Sequence, residues 1–282
     1  MRRYYNFPCD VRKGAVKIKK EMFYSDESND DFAGVKRETI SVGSDFRYRT
    51  DNPFWHLAEF FVYNVIMRPF AAAYCLFKFG IRFKGAEKLR PFKKRGYFLY
   101  GNHTQIPGDA FIANMLTFPQ KPYFIVHPDN VSLKGTKNIM QMLGAVPLPN
   151  EASGYRGFLS AVKYYCDNGN AVVIYPEAHI WPYYTGIRPF KNGSFKYPVK
   201  FGVPLFGFTV TYQKRRYRKT PKITVFVDGP FYPDEKLSPK ENERLLEQAV
   251  RGAMLSHRGE NTCEFIKYTK ADRNEPAVLL EQ

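Results

Sequence analysis

From residue 82 onward the chain alternates short apolar runs with longer amphipathic ones, and this alternation limits the folds open to it more than any other feature. Tyr97-Phe98-Leu99-Tyr100, Tyr123-Phe124-Ile125-Val126, Ala171-Val172-Val173-Ile174-Tyr175 and Ile223-Thr224-Val225-Phe226-Val227 have the length and the aromatic or β-branched content of buried strands. Residues 81–84 and 205–212 read the same way. Between them lie helical segments at 109–117, 134–142, 155–167 and around 192–201. In 155–167, Phe158, Ala161, Val162 and Tyr165 fall on one face, and Gly169 follows as a C-cap. A polar amphipathic helix over 239–256 opens on Ser238-Pro239. Strands separated by helices predict an α/β layered domain with a central mixed, mostly parallel sheet flanked by helices.

The N-terminal part is different in kind. Residues 1–50 pass from Lys17-Ile18-Lys19-Lys20 to the acidic Asp26-Glu27-Ser28-Asn29-Asp30-Asp31 and then to the strand-like Thr39-Ile40-Ser41-Val42. They are expected to form an appendage, with a hairpin at most. Residues 51–81 form an aromatic, amphipathic helical region. Asn64, Arg68, Pro69 and Lys78 interrupt it, so it lacks the clean run of about 20 apolar residues that a spanning helix needs. One or two helices lying in a membrane interface are expected, with the core helix of a soluble protein as the other reading. The expected division is therefore 1–50, 51–81 and 82–282, with the motif-bearing core in 82–230. Met1-Arg2-Arg3 leads into Tyr-Tyr-Asn-Phe-Pro rather than an apolar run, so no secretory signal is expected.

Composition narrows the function classes. With 44% hydrophobic residues over 282 positions the chain can bury a real core, which excludes global disorder. A formal charge of +16 calls for an anionic partner: nucleic acid, an anionic membrane leaflet or a phosphorylated substrate. Four scattered cysteines without a CxxC pair imply reduced thiols, and five histidines without metal-ligand spacing give no reason to expect a metal.

In open α/β sheets, chemistry gathers beyond the carboxyl ends of strands. Two such loops carry reactive groups here. Gly101-Asn102-His103-Thr104-Gln105-Ile106-Pro107-Gly108-Asp109 follows the 97–100 strand and places a histidine and an aspartate close together, with Asp109 near the N-cap of the next helix. Tyr175-Pro176-Glu177-Ala178 follows the 171–175 strand with a carboxylate. A histidine beside an aspartate is the minimum for a general base held in one tautomer.

Taken in order, these blocks resemble the glycerolipid and lysophospholipid acyltransferase family, typified by 1-acylglycerol-3-phosphate O-acyltransferase. The resemblance runs through Asn102-His103…Asp109, Leu143-Gly144-Ala145-Val146-Pro147-Leu148-Pro149-Asn150, Tyr175-Pro176-Glu177-Ala178 with Arg188-Pro189-Phe190-Lys191-Asn192-Gly193, and Val203-Pro204-Leu205-Phe206-Gly207-Phe208. Three departures stand out. Five residues separate His103 from Asp109 where the family has four, and Pro107-Gly108 is expected to absorb the extra one as a tight turn. Asn150 stands where the family has arginine, and Ala178-His179 where it has Gly-Thr.

The resemblance implies a fatty acyl transfer from an acyl thioester to the free hydroxyl of a lysophospholipid. The first acceptor it suggests is 1-acylglycerol-3-phosphate, giving phosphatidic acid. His103 would be the base and Asp109 its orienting partner. Attack would be direct, since no Gly-x-Ser-x-Gly nucleophile occurs. Glu177 would organise substrate or loop, Asn102 would shape the turn or donate to the oxyanion, and Arg188 and Lys191 would bind phosphate. No cofactor is implied beyond acyl-CoA or acyl-carrier protein as co-substrate, and the expected setting is the cytoplasmic face of a membrane. The alternatives are another lysophospholipid acceptor or a catalytically impaired lipid- or membrane-binding protein. The basic run Lys214-Arg215-Arg216-Tyr217-Arg218-Lys219 lies between two strands and fits a hairpin near anionic headgroups. No nucleic-acid motif accompanies it, so no nucleic-acid partner is expected.

Overall fold

Alternation along one strand divides the core into two layers. In β3 (Tyr97–Gly101) all five residues are buried. Tyr97 and Leu99 point into one apolar cluster, Phe98 and Tyr100 into the other, as the period of two requires. A strand apolar on both faces belongs at the centre of a sheet covered on both sides. The computed structural model, which describes residues 9–10, 17–18, 21–32, 40–132, 137–191 and 193–271, places β3 there.

The elements, in chain order, are β1 (Glu21–Tyr24), α1 (Pro53–Phe79), β2 (Arg82–Lys84), β3, α2 (Gly108–Leu116), β4 (Pro122–Val126), α3 (Lys137–Met142), β5 (Ala145–Pro147), α4 (Tyr155–Asp167), β6 (Ala171–Ile174), α5 (Lys196–Phe201), β7 (Leu205–Gln213), β8 (Lys222–Phe231), α6 (Pro239–Ser256) and β9 (Lys267–Lys270). The seven-stranded sheet runs β2-β8-β7-β3-β6-β4-β5. Every pairing in it is parallel except β7 with β8. The mixed, mostly parallel sheet is therefore the one the alternation predicts.

Helices cover both faces. On α4 the four predicted core residues are buried together with Cys166, and Gly169 sits in the left-handed region at φ 72°. Along α6, Leu246, Val250 and Met254 recur every four residues and are buried. Ser238 and Glu241 close its N-terminus as a reciprocal capping box. One predicted helix is shorter than expected, α5 covering only 196–201; α3 covers residues 137–142, and residues 133–136 lie outside the described set.

The N-terminal region departs from expectation more strongly. Residues Cys9–Asp10 and Lys17–Ile18 pair antiparallel as the hairpin expected within 1–50, but β1 pairs in parallel with β9, near the other end of the described chain. Phe32, 2% exposed, packs edge-on against both Trp181 and Tyr268, which stack on each other, its ring centre 5.2 and 5.7 Å from theirs. Residues 21–32 thus contribute Met22 and Phe32 to the core rather than forming a separate appendage. Residues 40–42 form no strand. Asn150 binds them instead, accepting from Val42 N at 2.8 Å and donating to Ile40 O at 2.8 Å. Thr39 lies outside the described residues.

The 51–81 region forms one continuous helix of 27 residues, long and apolar enough by length and composition to cross a membrane. Asn52 caps it, accepting from Phe54 N. Tyr63, Ala71, Cys75 and Phe79 face inward. Phe54, Leu57, Phe60, Phe61, Phe70 and Phe77 all stand more than half exposed, Phe54 at 80% and Phe77 at 75%.

Candidate active site

The β3 strand ends on Gly101, a position that needs glycine because a Cβ there would lie 2.2 Å from the ring of Phe208. The next residue, Asn102, takes over from the backbone ladder. Its side chain accepts from Val210 N at 2.7 Å and donates to Val210 O at 3.1 Å, and it is 1% exposed. The carbonyl oxygen and one N–H of the Asn102 amide are thus spent on β7. Asn102 sets the direction in which the chain leaves the sheet.

His103 follows. Its Nδ1 lies 2.7 Å from Asp109 Oδ2, and the same carboxylate oxygen accepts from Gln105 N at 3.0 Å. The five-residue spacing therefore does bring the pair together, although not as predicted. The turn falls at Ile106 and Pro107, while Gly108 is already the first residue of α2 and lies outside the left-handed region. Gly108 is accommodated by a close approach, since a Cβ there would meet Gln105 Cβ at 3.0 Å. Asp109 likewise does not cap the helix; its side chain turns back to the loop. Burial raises its pKa above the ordinary carboxylate value, opposed by the hydrogen bond and charge of His103.

The imidazole lies against Tyr175, ring centres 4.5 Å apart and planes 17° from parallel. The Tyr175 hydroxyl donates to Asp109 O at 2.9 Å. One aromatic side chain thus supports the face of the histidine and ties down the turn that carries its partner. Burial, then the Asp109 charge, pushes the Tyr175 phenol well above its usual value, so it stays neutral. With Nδ1 committed to Asp109, Nε2 is the ring nitrogen that bonds no described residue. The side chain keeps 24% of its surface accessible.

Glu177, 1% exposed, joins the two loops. Its Oε2 accepts from His103 N at 3.1 Å and from Arg188 Nη2 at 3.1 Å, and its Oε1 accepts from Arg188 N at 3.0 Å. Arg188 is fully buried, also donates to His179 O, and lies over the Trp181 ring at 5.0 Å. The expected phosphate ligand is thus an internal counter-charge, because a carboxylate buried at the strand end needs a cation beside it. Lys191 is at the surface, its Nζ donating to Asn29 Oδ1 at 2.6 Å and its backbone N–H to Pro176 O at 2.8 Å. Of the six site residues expected from sequence, the structure gathers His103, Asp109 and Glu177 into one cluster. It buries Asn102 against β7 and Arg188 against Glu177, and leaves Lys191 at the rim.

Sequence reasoning passed over the aromatic scaffold. Besides Tyr175, Trp181 N donates to His103 O at 3.1 Å and Tyr183 N to Thr104 O at 2.9 Å. The Tyr212 hydroxyl accepts from Gln105 Nε2 at 2.9 Å. The visible signals were the Trp181-Pro182-Tyr183-Tyr184 run and a tyrosine where the family block begins with phenylalanine. Ala178 and Tyr183 both hold left-handed backbone, at φ 63° and 59°. Among the described residues no group of three or more His, Cys, Asp or Glu is placed to hold a metal ion.

Residues 80–211 match the acyltransferase family model. The structure of the chain is similar to the crystal structure of PlsC, the 1-acyl-sn-glycerophosphate (LPA) acyltransferase from Thermotoga maritima, at a TM-score of 0.52 and 20% sequence identity, covering 73% of this chain and 83% of that one. No curated protein matches the sequence significantly.

Proposed function

We propose that this acyltransferase moves a fatty acyl group from acyl-CoA or acyl-carrier protein to the free hydroxyl of a lysophospholipid, 1-acylglycerol-3-phosphate being the first acceptor to test, at the cytoplasmic face of a membrane. The observation that carries the reading is the 2.7 Å pairing of His103 Nδ1 with Asp109 Oδ2, made in spite of the longer loop. Asp109 fixes the tautomer in which Nδ1 carries the proton and Nε2 is the base. His103 Nε2 takes the hydroxyl proton as the oxygen attacks the thioester carbonyl. The C–O bond forms, the C–S bond breaks, and the proton passes to the departing thiolate. Asp109 and the Tyr175 face stabilise the imidazolium between the two steps. Lys191, exchanging its bond to Asn29, offers the acceptor phosphate a mobile cation.

The test is transfer of a labelled acyl chain from each donor to a panel of lysophospholipids, using wild type and His103→Ala. Transfer to 1-acylglycerol-3-phosphate that falls by roughly 10²–10⁴-fold in the variant is the expected result. Transfer to a different lysophospholipid alone would replace the acceptor, and transfer to none would favour a lipid-binding protein.

A further inference from the structure

We infer that the 214–219 hairpin and the exposed face of α1 form one continuous surface that seats on anionic phospholipid headgroups, with α1 lying along the bilayer interface rather than crossing it. The inference deepens the membrane setting proposed above and rests on it.

The helix is bound sideways to the domain. Glu59 pairs with Lys121, Arg68 Nη2 donates to Gln120 O at 2.8 Å, and Phe70 and Tyr74 pack on Phe111 of α2 at 5.8 and 5.3 Å. Phe79 ends it in the core. Residues 59–79 are thereby held against the sheet domain over roughly 30 Å, about the thickness of the hydrocarbon core. A crossing orientation would pull α2 and the start of β4 into lipid and expose polar backbone there. Lying flat buries only the outward ridge, which Phe118 (61% exposed) and Ile106 (47%) extend. Ile106 belongs to the loop between His103 and Asp109.

The hairpin is fixed to one end of this ridge. Arg215 Nη1 and Thr220 Oγ1 each donate to Lys78 O at 3.2 Å, and Arg218 donates to Phe77 O, so the last carbonyls of α1 are satisfied by the basic loop. Arg216, Tyr217 and Lys219 make none of these bonds and point to solvent, Tyr217 at 84% exposure. An aromatic tip between cations is the composition of a membrane-interface anchor. The surrounding charge has one sign. Desolvation first, then repulsion from Arg82, Arg215 and Lys84, lowers the pKa of Lys222, and an anionic surface would relieve that repulsion. An apolar ridge beside the cations fits a lipid surface, where both are satisfied, better than RNA.

Vesicles of phosphatidylcholine, with and without phosphatidylglycerol, test the surface. The wild type should partition to the anionic vesicles, and Arg216→Glu/Lys219→Glu should bind them at least about 25-fold more weakly, about fivefold per charge removed, with binding to neutral vesicles little changed. Arg216→Gln/Lys219→Gln should lie between, and unchanged thermal melting of both variants shows that they fold. Equal binding of wild type and variant to anionic vesicles overturns the proposal, as does displacement from them by RNA. Spin labels at positions 54 and 77 should report the same shallow depth; a gradient across the bilayer refutes the flat orientation. Transfer to a short-chain lysophospholipid below its micellar concentration should be equal in wild type and charge variant. Its loss in both would count against the proposed reaction and leave the docking surface standing.

Discussion

At the scale of single residues, Asp109 connects the proposed chemistry to stability. Its carboxyl is buried and titrates above the ordinary value. Between the ordinary value and the raised one, the folded chain holds a proton that the unfolded chain has released. Stability therefore falls as pH rises through that window. Asp109→Asn removes the buried charge, so the variant should melt higher than wild type above the window and lose that advantage below it. Acyl transfer should nonetheless drop by about 10³–10⁴-fold, because the imidazole loses the partner that selects its tautomer. Melting curves across acid and neutral pH, run beside the transfer assay, separate the two effects. A variant that melts lower at neutral pH would mean the His103 bond outweighs burial. Ala178 offers an independent case. It sits at φ 63° where the family has glycine, and a left-handed alanine costs roughly 1 kcal/mol. Ala178→Gly should raise stability to denaturant by about that amount; no gain would mean that the freer unfolded chain cancels the relief.

At the scale of elements, the strand-end loops are held together through one buried ion pair. Glu177 accepts His103 N and Arg188 together, so the position of the base depends on a cation eleven residues along the chain from its carboxylate. Glu177→Gln leaves the Arg188 charge buried without its counter-ion and should destabilise the fold by about 3–5 kcal/mol. Glu177→Gln/Arg188→Met should recover much of that stability while transfer stays low, since the clip on His103 N remains altered. Urea unfolding of both variants checks this, and a double variant no more stable than the single one would show that the pair is held by more than charge. The same elements show what the sequence could tell. Strands β3, β6, β7 and β8 were legible because their apolar runs are dictated by burial on both faces. Helix α6 was legible because its capping box and four-residue period are local. The roles of Asn102 and Arg188 were not, because each depends on a partner brought close only by the sheet: Val210 for one, Glu177 for the other. The incorporation of residues 21–32 was hidden for the same reason, its partners Trp181 and Tyr268 lying far along the chain.

At the scale of the whole molecule, the net charge of +16 and the apolar ridge act together. Charge attracts at a distance and is screened; apolar contact acts only on arrival and is strengthened by salt. With a Debye length of about 30 Å at 0.01 M salt and about 3 Å at 1 M, the two contributions separate cleanly. On anionic vesicles the apparent KM for a membrane-resident lysophospholipid should rise several-fold as salt increases from 0.05 to 0.5 M, the direction set by the weakening of each lysine or arginine contact with the surface. On neutral vesicles it should stay level or fall slightly. The kcat at saturating vesicle should be unchanged on both, because His103, Asp109 and Glu177 form a site whose bonds are buried and little screened. A kcat that fell with salt would place screened charges inside the reaction itself, most directly Lys191, a cation at the rim of the His103 loop cluster.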